Sequence, residues 1–161
     1  MIRIFVTGGT FDKTYDEIGG RLAFGESHLP EMLRLGRSHV AVSIGTLMMV
    51  DSLDMTAEDR ALIVRQCREC AEARIVVTHG TDTMVETAAA LAAGVSDKTI
   101  VLTGAMVPYA FGSSDGLFNL GSALSYAQLL PPGVWVAMNG RHFPWDGVRK
   151  NRDTGIFEAL S

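Results

Sequence analysis

The chain has little of what marks three large classes of protein: cysteine, basic clusters and long apolar runs. Only two cysteines and three lysines occur in 161 residues, and the formal net charge is −4. No cluster of Lys or Arg offers a surface to a polyanion, so we expect no nucleic-acid partner. The nearest approach to a long apolar stretch, residues 87–95, falls short of the roughly 18 residues that a membrane helix needs. Residues 1–6 are too short for a secretory signal, so we expect a cytoplasmic protein with no membrane partner.

The two cysteines, Cys67 and Cys70, lie inside a segment with a strong helical pattern, residues 56–73. A redox-active pair would follow a strand and begin a helix, which this pair does not. No second Cys or His pair stands at zinc-ligand spacing, so the sequence predicts no metal site. We interpret both residues as reduced, non-catalytic thiols of a reducing compartment.

Strand-like and helix-like segments alternate along the chain. With 47% apolar and 20% charged residues, it is predicted to form one compact domain over residues 1–161. Continuous apolar runs are typical of strands that are buried on both faces. These runs predict strands at residues 2–6, 40–44, 74–78, 99–103 and 134–138.

Helix signals fall between these strands, at residues 30–36, 56–73, 83–93 and 115–130. Thr56 is a predicted N-cap, and Asp115 is predicted to open the last helix. Thr83 and Glu86 have the spacing of a capping box. A βαβ series with right-handed crossovers predicts a three-layer αβα sandwich around a mostly parallel, flavodoxin- or Rossmann-like sheet.

Two irregular stretches interrupt this alternation. Residues 11–24 contain Gly19-Gly20 and few apolar residues, which predicts an exposed hairpin over the end of the first strand. Residues 105–114 contain Pro108 and Tyr109 and are long for a strand-to-helix connection. Loops of this length at the ligand-binding end of a sheet are commonly functional, so both stretches are candidates for ligand contact.

Short polar segments each follow an apolar run rich in Ile and Val, at residues 7–10, 51–55, 79–84 and 104–108. Because the carboxyl ends of parallel strands meet at one edge of a sheet, these segments can line one crevice. Gly8-Gly9-Thr10 offers a sharp turn, a hydroxyl and nearby amide N–H groups, the components of a nucleophile beside an oxyanion hole. A glycine turn capped by Thr10 is the structural alternative. Neither G-x-G-x-x-G nor a Walker lysine follows, which disfavours a nucleotide-binding domain.

Thr81 and Asp82 lie between a strand end and a helix N-terminus, where the helix dipole favours a carboxylate. Asp82 can there hold a substrate ammonium and orient a lysine, and an extended capping motif is the alternative. His79 continues the strand, which favours a buried, hydrogen-bonded histidine over a catalytic one. Ser52 is a candidate donor to a substrate carboxylate or else part of an ordinary helix entry. Lys150 is a candidate base only where burial and neighbouring charges favour a neutral amine, and otherwise a solvated loop residue.

Together these segments resemble the amino-terminal domain of bacterial-type L-asparaginases, threonine amidohydrolases that cut the side-chain amide of asparagine and sometimes of glutamine. Thr-Gly-Gly-Thr at 7–10 and His-Gly-Thr-Asp-Thr-Met at 79–84 are that family's two signatures, in the right order. Segments at 51–56, 104–108, 114–120 and 136–139 resemble further family blocks, so the similarity covers nearly all 161 residues.

The resemblance implies hydrolysis of L-asparagine to L-aspartate and ammonia through an acyl-enzyme, with glutamine as a minor substrate and no cofactor. It implies that Thr10 is the nucleophile and that Tyr15 lies beside it on the hairpin, with Tyr109 as the other candidate for this tyrosine. A second catalytic group would consist of Thr81, Asp82 and Lys150. Substrate contacts are implied for Ser52, Asp51, Asp82, Thr81 and the main chain at Ala105.

The sequence also departs from the family pattern. Val107 stands where many relatives have arginine, and Leu53 where many have a polar residue. Family members usually continue into a carboxyl-terminal domain whose copy on a neighbouring subunit closes the pocket, so we expect this chain to be either a natural short form or a fragment. In both cases we expect a homo-oligomer, a dimer or tetramer, and for a natural short form we expect weaker substrate affinity. The alternative function is a catalytically weak or inactive amino-acid-binding or regulatory module that retains the same pocket.

Overall fold

The apolar runs of the sequence form the strands of a central sheet. The computed structural model describes residues 1–161. Its strands are β1 (Ile2–Gly8), β2 (Lys13–Asp16), β3 (Arg21–Phe24), β4 (Val42–Val50), β5 (Arg74–Thr78), β6 (Thr99–Thr103), β7 (Gly133–Met138), β8 (Arg141–Pro144), β9 (Val148–Lys150) and β10 (Phe157–Ala159). Its α-helices are α1 (Leu29–Leu35), α2 (Ala57–Glu69), α3 (Met84–Gly94) and α4 (Gly116–Leu129).

Six strands form the central sheet in the order β4-β1-β5-β6-β7-β8. All neighbours are parallel except β8, which runs antiparallel to β7. The predicted mostly parallel α/β sheet is therefore confirmed. Two further pairs, β2 with β3 and β9 with β10, form antiparallel hairpins outside this sheet.

Helices cover both faces of the sheet. Ile75 and Val77 of β5 belong to the core cluster beneath α2 and α3, whereas Val76 belongs to the cluster beneath α1 and α4. This alternation explains why the strands read as continuous apolar runs, since both faces of each are buried. The predicted three layers are thus present. None of the four helices is long and apolar enough to cross a membrane.

Some boundaries differ from the sequence predictions. The strand predicted at 40–44 spans Val42–Val50, because its second half continues to pair with β1 as far as Val50 opposite Gly8. Helix α2 ends at Glu69 rather than near residue 73, because the backbone becomes extended at Cys70. Strand β8 was not predicted, although Asn139 and Gly140 both have positive φ and form the two-residue turn that favours a hairpin.

The capping box predicted at Thr83 and Glu86 does not form. Thr83 is the N-cap of α3, but its hydroxyl donates to the carbonyl of Ser52 at 2.8 Å instead of capping the helix. A capping box forms at α2, between Thr56 and Asp59. A tertiary contact between two loops therefore replaces a local helix contact at Thr83.

Candidate active site

The loops that follow β1, β4 and β5 pack against one another through main chain. Gly9 has a φ of 80°, and a Cβ there would collide with the backbone of Gly80. A Cβ on Gly80 would collide in turn with the side chain of Ser52. Only glycine allows these approaches, so the two glycines bring Thr10, Ser52 and the residue after Gly80 to one edge of the sheet.

Lys150 joins two of the predicted site residues directly. Its Nζ donates to Thr81 Oγ1 and to Asp82 Oδ1, both at 2.8 Å. Thr81 is buried, and the Lys150 side chain is only 12% exposed. Arg152 lies farther out, with its Nη1 at 3.7 Å from Asp82 Oδ1. The structure thus brings the Lys150 ammonium against a hydroxyl and a carboxylate that lie almost 70 positions earlier in the sequence.

Lys150 reaches this site because it lies on a strand and not in a solvated loop. It pairs with Phe157 across the β9–β10 hairpin. Phe157 is fully buried in the core, together with Val148 at the other end of β9. The backbone N–H of Phe157 also donates to Asn139 Oδ1 at 3.1 Å. The hairpin is therefore anchored by apolar burial and by a hydrogen bond to the β7–β8 turn.

Thr10 begins a short 3₁₀ turn whose other two residues, Phe11 and Asp12, are buried. Asp12 Oδ1 accepts hydrogen bonds from Ser27 Oγ at 2.8 Å and from the backbone N–H of His28 at 3.2 Å. Burial raises the pKa of the Asp12 carboxyl above its ordinary value, and Oδ2 has no partner. The two residues that follow Thr10 are therefore buried, whereas Thr10 itself remains partly exposed.

Tyr15 lies on the predicted hairpin, which forms as β2 and β3. It is opposite Leu22 and is 59% exposed. Its hydroxyl makes no hydrogen bond to Thr10, Thr81 or any other residue. The structure therefore confirms the exposed hairpin but does not join Tyr15 to the other site residues.

Asp51 and Ser52 differ in what they contact. The Asp51 carboxylate pairs with Lys13 and accepts from the N–H of Leu53 at 3.1 Å. The hydrogen bond from Lys13 lowers the pKa of Asp51 below its ordinary value. Ser52 is 1% exposed, and its Oγ has no partner within the chain. Asp51 is thus engaged inside the protein, whereas Ser52 has an unused hydroxyl at the site.

The loop after β6 is ordered by two polar side chains that the sequence did not single out as site residues. Ala105 is buried, and both oxygens of Asp115 accept from the N–H of Met106 at 3.0 Å. Asn119 Nδ2 donates to Gly104 O at 2.9 Å and to Asp115 Oδ2 at 3.0 Å. Polar residues four apart on the otherwise apolar start of α4 were the available signal.

His79 lies beneath the site and is fully buried, as predicted. Its Nδ1 is 2.7 Å from Gly80 O and its Nε2 is 2.8 Å from Thr87 Oγ1. Because a carbonyl only accepts, these partners assign the proton to Nδ1. Burial lowers the pKa of His79 to about 4, so the ring is neutral near pH 7. We assign it a structural role.

No group of three or more His, Cys, Asp or Glu side chains in the structure has the geometry to hold a metal ion. The surface cavities between the helices lie away from the site described above. The cavity of about 340 Å³ between α1 and α4, for example, is lined by Met32, Leu33 and Leu124.

Comparison with known proteins identifies the family of the chain. The family model described as asparaginase, N-terminal, matches residues 1–159. The chain is 33% identical to the L-asparaginase of Thermococcus kodakarensis, covering 96% of this chain and 49% of that protein. The solved thermostable L-asparaginase from Thermococcus kodakarensis superimposes with a TM-score of 0.87 at 28% identity, covering 99% of this chain and 51% of that one.

A second structure, described as a probable cytoplasmic L-asparaginase from Campylobacter jejuni, superimposes with a TM-score of 0.81 at 29% identity. The superposition covers 98% of this chain and 52% of the Campylobacter jejuni chain. The chain thus spans about half the length of the relatives it matches. On the strength of the matched residues and the shared fold, the chain belongs to the asparaginase family and corresponds to its amino-terminal domain.

Proposed function

We propose that this chain hydrolyses L-asparagine to L-aspartate and ammonia, with Thr10 as the nucleophile. The observation that carries the proposal is the Thr81–Asp82–Lys150 group, which lies beside the Gly9–Gly80 contact. A hydroxyl nucleophile needs a nearby group that moves protons and donors that stabilise an oxyanion. Both requirements have candidates at this edge of the sheet, in a chain of the asparaginase family.

In this proposal the substrate binds to polar groups whose hydrogen-bonding capacity is not used up within the chain. Ser52 Oγ is unpartnered and would donate to the α-carboxylate of the substrate. Asp82 uses Oδ1 for Lys150 and has Oδ2 left to accept from the α-ammonium. The main chain at Ala105, in the loop ordered by Asp115, would contact the leaving amide. Asp51 would act indirectly, since its carboxylate is engaged by Lys13.

In the first step, Thr10 Oγ forms a bond to the amide carbon and the carbon–nitrogen bond breaks. The Lys150 ammonium already donates to Thr81 Oγ1, so a proton can pass through that hydroxyl to the departing nitrogen. The proton lost by Thr10 replaces it. Ammonia leaves, and an ester joins Thr10 to the aspartyl group. Backbone N–H groups at Thr10 and Thr81 would stabilise the oxyanion.

In the second step, a water molecule attacks the ester carbon. Its proton reaches Thr10 Oγ as the ester bond breaks, which releases aspartate and restores the hydroxyl. The same Thr81–Lys150 pair would carry that proton. Tyr15 would approach Thr10 only when the exposed β2–β3 hairpin moves towards bound substrate. The chemistry requires no metal or organic cofactor, because each step transfers only protons and an acyl group.

We propose a cytoplasmic location, which suits the two free cysteines and the description of the Campylobacter relative. The second candidate function is an amino-acid-binding module without turnover. It is favoured by the observation that the chain spans only half the length of its relatives.

A steady-state assay of ammonia release from asparagine and glutamine tests the proposal. Thr10→Ala should lower kcat by at least about 10³-fold, as loss of a nucleophile does. Lys150→Met should lower it by about 10²–10⁴-fold, as loss of a general acid–base group does. Thr154→Ala, in the exposed β9–β10 turn, is the matched control and should leave the rate unchanged.

The same preparations should be titrated with aspartate by calorimetry. Aspartate binding by the unmodified protein without any ammonia release would favour the binding module. Ammonia release that survives Thr10→Ala would refute the assigned nucleophile. Preserved aspartate binding in Thr10→Ala, together with lost turnover, would show that the variant is folded and that the threonine acts in chemistry.

A further inference from the structure

The hairpin that carries Lys150 is separate from the central sheet. Strands β9 and β10 pair with each other and with no other strand. The backbone N–H of Phe157, opposite Lys150, is the one main-chain group of this hairpin that hydrogen-bonds to another element. It donates to Asn139 Oδ1 at 3.1 Å, in the turn between β7 and β8. The placement of this hairpin therefore depends on a single side chain outside it.

Asn139 is itself held by a second, buried amide. Asn119 on α4 is 1% exposed, and its Oδ1 accepts from the backbone N–H of Asn139 at 3.2 Å. Its Nδ2 donates to Gly104 O at 2.9 Å, next to Ala105. One buried side chain thus contacts both the loop after β6 and the turn that receives the Lys150 hairpin. Because the oxygen and the nitrogen of this amide are both engaged, Asn119 fixes the two segments relative to each other.

The two contacts that Phe157 makes outside the hairpin differ in their dependence on angle. Burial of its ring stabilises the hairpin but does not select one orientation, because apolar burial depends on area. The hydrogen bond from its N–H does select one, since hydrogen bonds weaken steeply as they depart from a linear geometry. Asparagine also suits the turn, because Asn139 has a φ of 57° and asparagine is enriched in this left-handed region.

From these contacts we infer that Asn139 is a positioning residue, which holds Lys150 Nζ against Thr81 Oγ1 and Asp82 Oδ1 through the backbone of Phe157. The Asn139 side chain makes no hydrogen bond to Thr81, Asp82 or Lys150 itself. Its role in turnover rests on the proposed function, whereas the placement of Lys150 is measurable without any turnover. A small displacement of a group that transfers protons lowers kcat strongly and leaves the binding of product largely unchanged.

Labelling of amines with acetic anhydride, followed by mass spectrometry, measures the placement of Lys150, one of three lysines in the chain. Lys150 should react slowly in the unmodified protein, since its side chain is 12% exposed and its ammonium donates to two oxygens. Asn139→Gly removes the acceptor but keeps a residue that adopts positive φ. It should raise the labelling rate of Lys150 by about 2- to 10-fold, as loss of one hydrogen bond does.

Two further variants control for the change of residue type. Asn139→Asp keeps an acceptor oxygen and tolerates the same φ, so it should restore the labelling rate of the unmodified protein. Arg37→Gly also replaces a residue of positive φ, 51°, by glycine, at the end of α1 and outside the site. It should change neither labelling nor ammonia release.

Ammonia release and aspartate calorimetry give the second readout. Asn139→Gly should lower kcat for asparagine by about 10- to 100-fold and change the dissociation constant of aspartate by less than about threefold. Asn139→Asp should retain most of the rate. Circular dichroism of both variants confirms folding.

Faster labelling of Lys150 in Asn139→Gly, with Lys13 and Lys98 unchanged and with restoration by Asn139→Asp, supports the inference. It does so even if the unmodified protein releases no ammonia, a result that would refute the proposed function alone. Unchanged labelling of Lys150 would overturn the inference. Equal increases at all three lysines would also overturn it, because they report a general loosening of the fold. So would a kcat that Asn139→Gly leaves unchanged in an active protein.

Discussion

Two hairpins flank the candidate site, and they are held very differently. The β9–β10 hairpin carries Lys150 and is anchored by the fully buried Phe157. The β2–β3 hairpin carries Tyr15, and its apolar residues, such as Ile18 at 96% exposure, face solvent. Its base is tied down through Asp12 and Lys13.

This difference bears on the proposed mechanism, because Lys150 is already in contact with other site residues whereas Tyr15 is not. Lys150 already contacts Thr81 and Asp82, so the group proposed to move protons is preorganised. Tyr15 contacts none of them, so its proposed role requires a movement of the hairpin. A preorganised group together with a loop that closes over it is common at sites that must admit substrate and then exclude water.

The largest expected effect comes from releasing the anchored hairpin. Phe157→Ala removes a fully buried aromatic ring and should lower the free energy of unfolding by about 3–5 kcal/mol. Ile156→Ala, at a neighbour that is 49% exposed, is the control and should cost well under half of that. Urea denaturation measures both. Equal losses for the two variants would contradict the anchoring role of Phe157.

A smaller effect is expected at the base of the exposed β2–β3 hairpin. Asp12→Ala removes the acceptor of Ser27 and His28 and should destabilise the protein by about 1–3 kcal/mol. Asp12→Asn keeps an acceptor oxygen at Oδ1 but removes the buried charge, and so should be tolerated much better. Thermal unfolding followed by circular dichroism distinguishes the two variants.

The Asp12→Asn comparison also has a predicted pH dependence. Burial raises the pKa of Asp12 in the folded state above its unfolded value near 3.8. The folded state therefore binds the proton more tightly, and stability is lost as pH rises through the unfolded pKa towards the folded one. The stability of Asp12→Asn relative to wild type should accordingly increase between pH 3 and pH 7. A stability difference that stays constant over this pH range would contradict the raised pKa of Asp12.

The smallest effect is expected from the ion pair that ties the hairpin to the loop after β4. Lys13→Met should cost about 0.2–1 kcal/mol at pH 7, as a partly exposed pair typically does. Lys13 lowers the pKa of Asp51, so this contribution is present above the unfolded pKa near 3.8 and is lost as pH falls through the lowered value. The difference from wild type should therefore shrink in acid. A difference that persists in acid would show that lost packing, and not the charge pair, is responsible.

Prediction from the sequence succeeded where the pattern of residues in a segment depends only on the burial of that segment. The strands at 74–78 and 99–103 match the structure because a run of buried apolar residues is a property of the segment alone. It failed at Thr83, where a hydroxyl with a local capping partner is used in a contact with Ser52 instead. It also missed Asp115 and Asn119 as organisers of the loop at Ala105, since their partners lie on another element.

The sequence alone determined the alternation of strands and helices and the four polar segments at the strand ends, because periodicity and turn residues act over a few positions. The tertiary structure alone decided that Lys150 lies against Thr81 and Asp82, that Ser52 keeps an unpartnered hydroxyl, and that Tyr15 remains in solvent. These outcomes depend on which distant backbones approach closely, as Gly9 and Gly80 do, and on which side chains the core buries.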